Sequence, residues 1–204
     1  MGVEVKVWSD FVCPFCMIAE QPLLEAVRES GLDVHIDWMP FELRPWPTPT
    51  LRPEEGYLQR VWPQSVYPLA ERHGVKLRLP SVSPQPYTAL AWEGYQFARE
   101  QGKGSEYNDR VLRAFFQEDQ DIGQPEVLAR LAGEVGLDEA AFGEALAQRR
   151  YREAHARALA QARAMGVTAV PTFMIGRRLY PGAQNKEVLA RALRAAAGEA
   201  DPAF

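Results

Sequence analysis

The only two cysteines of this 204-residue chain stand three apart, in Cys13-Pro14-Phe15-Cys16, directly after a short apolar run from Val3 to Trp8. That order reads as strand, turn and helix, with a dithiol where the helix begins. A helix N-terminus carries unpaired backbone N–H groups and a partial positive charge, so Cys13 in the first turn would have its thiolate stabilised. The thiolate is the form that attacks disulfides. Cys16, about one turn on, shares that face and lets the ring close without moving the backbone. Pro14 is tolerated because its missing N–H has no partner in a first turn. From Met17 to Ser30 the pattern predicts an amphipathic helix with Ile18, Leu23, Leu24 and Val27 apolar, a kink at Pro22 and an end at Gly31.

Two structural readings of the thiols are weak. A disulfide closing so small a loop restrains little of the unfolded chain, and no other cysteines form a framework. A zinc site lacks a second cysteine pair, and His35, His73 and His155 have no ligand spacing, so no metal is expected. A net charge of −4 gives no electrostatic footprint for nucleic acid or an anionic membrane, while a hydrophobic content of 47% supplies an ample core. No stretch reads as a membrane span, and a first strand opening within three residues of Met1 leaves no room for a signal peptide. The expected location is cytoplasmic, where a dithiol rests mostly reduced and works by cycling.

Leu32 to Trp38 alternates apolar and polar residues and predicts a half-buried second strand, with His35 on its polar face. A proline-rich connection follows from Pro40 to Pro53. Strand signals then vanish, and helices are expected at Glu54–His73 (interrupted near Pro63 and Pro68), Pro86–Gln101, Ser105–Glu118, Pro125–Val135 and Asp138–Met165. A hairpin is expected at Thr172–Ile175 and Arg178–Tyr180, turning at Gly176, and a last helix at Lys186–Ala197. The order is α/β, of thioredoxin type, with a large all-helical insertion. It implies a discontinuous thioredoxin-like domain, residues 1–40 plus 160–204, and a helical insertion domain, 41–159.

The segment Gly166-Val167-Thr168-Ala169-Val170-Pro171-Thr172-Phe173 resembles the loop that carries a cis-proline beside the dithiol in thioredoxin-fold proteins. Together with Ser9 to Cys16, Pro40-Phe41-Glu42-Leu43 and Pro181-Gly182-Ala183-Gln184, it makes the whole chain similar to the DsbA-like thioredoxin family, in its FrnE branch. The resemblance implies a protein disulfide oxidoreductase with Cys13 as exposed nucleophile and Cys16 as resolving thiol. Pro14, Phe15, Val170 and Pro171 would bind substrate, with Val170 offering its backbone to an incoming peptide. The redox-active dithiol would need no bound cofactor. Protein or peptide thiols and disulfides are the implied partners, with thioredoxin or glutathione as recycling system and glutathione as a candidate co-substrate.

Departures from the family pattern accompany the likeness. Pro14-Phe15 stands where periplasmic DsbA enzymes carry a histidine, which implies a less extreme potential. Val7 occupies the place of the buried strand carboxylate that takes a proton from the resolving thiol. Asp10 is the nearest carboxylate, a candidate for proton transfer or a cap of the turn. No second cysteine pair is present to act as a relay. The same fold and insertion also resemble 2-hydroxychromene-2-carboxylate isomerases and kappa-class glutathione transferases, in which serine typically replaces the first cysteine. Trp38, Phe41, Trp46, Trp62 and Tyr67 would line an aromatic pocket in that alternative, although most aromatics of this kind are core or interdomain packing. A third reading is a chaperone-like peptide-binding module.

Overall fold

Val3, Val5 and Val7 alternate with Glu4 and Lys6, so one face of the first strand, β1 (Val3–Ser9), is buried and apolar up to Ser9 at its end. In the computed structural model, which describes residues 2–198, this strand is central to a four-stranded sheet of order β2-β1-β3-β4. Residues 1 and 199–204, at the two ends of the expected thioredoxin-like domain, lie outside the described residues. β2 (Val34–Pro40) pairs parallel to β1, β3 (Thr172–Ile175) pairs antiparallel to it, and β4 (Arg178–Pro181) completes the hairpin. The crossover from β1 to β2 is α1 (Pro14–Ser30), which Gly31 ends at φ 65°. α1 packs with the last helix, α9 (Lys186–Ala197), and α9 packs on β1 and β3. Trp8 and Met39 point to the other face, against Ala162 and Val167.

All remaining helices lie between β2 and β3: α2 (Gly56–Val61), α3 (Tyr67–Arg72), α4 (Ala89–Glu100), α5 (Gly104–Phe116), α6 (Pro125–Glu134), α7 (Glu139–Ala147) and α8 (Arg152–Ala164). Both α5 and α8 pack on β2. The expected boundary between residues 159 and 160 therefore falls inside α8.

Four expectations about element limits need correction. The second strand runs two residues later than expected, because its pairing follows β1 to Ser9, opposite Pro40. Proline is accommodated there on an edge strand. Between α2 and α3 the chain stays helical through a π-helical turn, Trp62–Val66, in which the Tyr67 N–H reaches the Trp62 carbonyl. Pro63 cannot donate, and the wider turn absorbs it without breaking the rod. α4 starts at Ala89 rather than Pro86, after Thr88, whose hydroxyl is bonded elsewhere. The expected helix Asp138–Met165 is two helices, α7 and α8, separated at Arg149, which has φ 51°. That left-handed residue is unfavourable by itself, but the break lets Arg149 hold the buried Glu93 carboxylate at 2.6 Å.

Candidate active site

The turn between β1 and α1 fixes the dithiol. Cys13 N–H donates to Asp10 O at 2.9 Å, and Cys16 N–H donates to Cys13 O at 3.1 Å. Cys13 is the N-cap of α1 (φ −93°, ψ 109°), one place earlier than the first-turn position expected, and Pro14 opens the helix. Nor is Cys13 broadly exposed: it is 4% accessible, since the segments after β2 close over it. Its Sγ faces the Val170 carbonyl oxygen at 3.9 Å. The Val170–Pro171 peptide bond is cis, as are Trp46–Pro47 and Ser83–Pro84.

Cys13 opens onto a cavity of about 310 Å³. Val12, Pro14, Phe15 and Val170 line it beside the sulfur, and the proline-rich connection (Leu43, Arg44, Thr50, Leu51) and α2 (Tyr57, Leu58, Val61) contribute the facing wall. Of the residues expected to bind substrate, Pro14, Phe15 and Val170 line this space. Pro171 does not: it is buried, and its carbonyl accepts from Gly182 N–H at 2.8 Å. Cys16 is also buried and outside the lining. Burial pushes the Cys16 thiol well above its ordinary range, and the neighbouring Cys13 sulfur raises it further. The two sulfurs are thus unequal: one meets the cavity, while the other is enclosed and protonated.

Asp10 is enclosed at the same place, with 1% accessibility. Its Oδ1 accepts from the Thr88 hydroxyl and its Oδ2 from Leu43 N–H, both at 2.7 Å. Burial raises its pKa to about 6 in spite of those two donors, with a smaller upward push from Glu42. Asp10 therefore ties the connection after β2 and the start of α4 to the dithiol turn, beyond the local cap expected of it. Val7 is buried at the place in β1 where the family carries its carboxylate, and the strand's own acidic residue, Glu4, is exposed.

The aromatic pocket of the isomerase alternative does not form, and most of its five residues pack instead. Trp62 is buried against Tyr67 and Phe116, Trp38 lies under Tyr95 and Ser105, Phe41 packs with the Trp8 cluster, and Trp46 is on the surface. The aromatic side chains at the dithiol cavity are Phe15 and Tyr57. His35 is exposed on the edge strand. Two buried pairs had no counterpart in the sequence reading: His155 Nε2 with Glu42 Oε1 at 2.6 Å, and Glu20 with Asn108. For Glu20 a signal existed, since it lies four residues after Cys16 on the buried side of α1.

The model of the DSBA-like thioredoxin domain family matches residues 4–194. The chain belongs to this family. It is 50% identical over 195 residues to the uncharacterized protein YwbO of Bacillus subtilis, covering 95% of this chain and 96% of that one. Among solved structures, a probable DsbA oxidoreductase from Streptomyces coelicolor superposes with a TM-score of 0.79 at 23% identity, covering 99% and 93% of the two chains. A 2-hydroxychromene-2-carboxylate isomerase gives 0.76 at 17% identity, covering 97% and 100%. The cytosolic disulfide reductase DsbM from Pseudomonas aeruginosa, solved with glutathione, gives 0.68 at 22%, covering 96% of each. At these identities the three structures establish the fold. Among the described residues, no helix is long and apolar enough to cross a membrane.

Proposed function

We propose that the protein catalyses thiol–disulfide exchange, with Cys13 as nucleophile and Cys16 as resolving thiol. The observation that carries this reading is the inequality of the two sulfurs: Cys13 on the cavity beside Val170 O, Cys16 buried and protonated. In the reducing direction the Cys13 thiolate attacks a substrate disulfide, forming a mixed disulfide and expelling one substrate thiolate, which takes up a proton. Cys16 then gives up its proton, and its sulfur attacks the Cys13 sulfur. The Cys13–Cys16 bond forms, the mixed disulfide breaks and the second substrate thiolate leaves; two electrons pass from the dithiol to the substrate. A low-molecular-weight thiol such as glutathione, or a thioredoxin-like dithiol, restores the reduced form. Run backwards, the same steps oxidise a substrate dithiol. Pro14, Phe15 and Val170 form the substrate-facing surface, Pro171 supports Val170, and a cytoplasmic location suits a cycling dithiol.

In the resolving step Asp10 is the proton acceptor proposed for Cys16. With a pKa of about 6, its carboxylate is available as a base from near-neutral pH upward. The resolution rate, read by stopped-flow decay of a preformed mixed disulfide, is expected to rise with pH through about 6 and level off. Asp10→Asn is expected to remove that inflection and slow resolution by about tenfold or more. An unchanged profile in the variant would confine Asp10 to tethering Leu43 and Thr88.

The direct test of the function is the potential of the pair, from equilibration in graded glutathione buffers, acid trapping and thiol counting by mass spectrometry. A single two-electron transition is expected between the thioredoxin and DsbA extremes, about −270 and −120 mV. Thiols that never couple in any buffer would sink the oxidoreductase reading and leave the glutathione-dependent isomerase in its place.

A further inference from the structure

The cavity at Cys13 has a neighbour. Thr50, Gln85 and Pro86 also line a larger trough of about 770 Å³, so the two spaces adjoin across these three residues. Beyond those shared residues the trough is lined by Trp46, Tyr87, Leu90 and, from the turn between α7 and α8, Arg149 and Arg152. Trp46 is 77% accessible, the most exposed of the large hydrophobic side chains described. An indole so placed adds little to the stability of the core.

Its backbone is nevertheless held firmly. Pro45, Pro47 and Pro49 surround it, Thr48 N–H donates to Pro45 O at 2.8 Å, Arg44 donates to Pro49 O at 3.1 Å, and the Tyr87 hydroxyl donates to Thr48 O at 3.0 Å. A rigid, presented tryptophan loses little conformational entropy when a partner covers it, which is the character of a binding hot spot. The charges lining the trough are also informative. Arg149 is held by Glu93, and Asp121 accepts from Gly123 N–H and the Gln124 side chain, whereas Arg152 has no ion-pair partner among the described residues.

We propose that this trough is the docking groove for the polypeptide flanking the reacting cysteine of a client protein, with an apolar or aromatic side chain against Trp46 and an acidic one against Arg152. This rests on the thiol–disulfide reading and narrows its substrates to chains longer than a free small thiol. A disulfide the size of oxidised glutathione would be served by the inner cavity, whereas an extended segment can continue over Gln85 and Pro86 to Trp46.

The experiment compares two substrates on the intact protein: oxidised glutathione, and a twelve-residue peptide whose one cysteine, carried as its glutathione mixed disulfide, is followed by leucine, tryptophan and aspartate residues. Trp46→Ala is expected to lower kcat/KM for the peptide by about tenfold or more, mainly through KM, while glutathione turnover stays within about twofold. Arg152→Gln is expected to weaken the same peptide and to have no effect on its aspartate-to-asparagine version. An unchanged peptide KM in Trp46→Ala, or an equal loss with both substrates, overturns the groove. If the wild type turns over neither substrate, the redox reading fails separately. The groove is then judged by fluorescence anisotropy of a cysteine-free labelled peptide: saturable binding lost in Trp46→Ala upholds it, and no saturable binding overturns it.

Discussion

Cys13→Ser is expected to abolish disulfide exchange, a loss of at least about a thousandfold, because a serine hydroxyl without an adjacent base is not a nucleophile at neutral pH. Cys16→Ser should fail differently. The sulfur on the cavity still attacks, but the buried partner that would release the product is gone, so a covalent adduct with the substrate thiol accumulates. Intact-mass spectrometry after mixing with oxidised glutathione reads both results: no adduct in Cys13→Ser and a stable single adduct in Cys16→Ser. Alkylation should follow the same inequality. Iodoacetamide at neutral pH is expected to label the remaining thiol of Cys16→Ser readily and that of Cys13→Ser slowly, since Cys16 is enclosed and its thiol held protonated. Full turnover by Cys13→Ser would remove the oxidoreductase reading. Peptide binding without turnover would favour the chaperone-like module, and persistent glutathione-dependent isomerisation of an aromatic substrate would favour the isomerase.

The parts of this site that the sequence disclosed are local ones. β1, the Cys13–Cys16 turn and α1 occupy consecutive residues, and periodicity, Pro14 and Gly31 specify them with little help from elsewhere. What it concealed depends on residues far along the chain. The break at Arg149 is set by Glu93, 56 residues away, and no local signal competes with the helical pattern that runs through it. Asp10 reads as a turn cap until Leu43 and Thr88, 33 and 78 residues on, are seen on its two oxygens. Those partners also explain why Cys13 is covered: the connection after β2 is pinned across the dithiol rather than looping into solvent. Composition says how many aromatic residues exist and not which way they turn: Trp62 went to the core, as most such residues do, but Trp46 went to the surface. Val170, by contrast, was placed beside the sulfur by a motif 157 residues distant, through family resemblance and not through any local rule.

Glu20→Gln is expected to make the protein more stable at alkaline pH, against the usual direction for a buried substitution. Glu20 lies on the enclosed side of α1 with 8% accessibility, and burial together with the nearby Asp109 charge raises its pKa to about 8. The Asn108 side-chain N–H donates to one carboxyl oxygen of Glu20, while Asn108 Oδ1 is buried and has no other partner among the described residues. A protonated Glu20 can return a hydrogen bond to that oxygen; an ionised one cannot, and is left as a charge in a low-dielectric site. Since the folded-state pKa lies above the ordinary carboxylate value of 4.5, the folded protein binds more protons than the unfolded chain between about 4.5 and 8. The stabilisation is therefore complete below about 4.5 and is lost as pH rises through about 8. Asp10 acts in the same sense, but only up to about 6. Glutamine keeps both the donor and the acceptor at every pH. Unfolding free energies from denaturant titration of the wild type and Glu20→Gln should nearly coincide near about pH 4, separate between about pH 4.5 and 8 and run parallel above, the variant leading by a few kcal/mol near about pH 9. Curves that stay parallel across that range would mean that Glu20 is already ionised in the fold, and that the bond to Asn108 is made to a carboxylate.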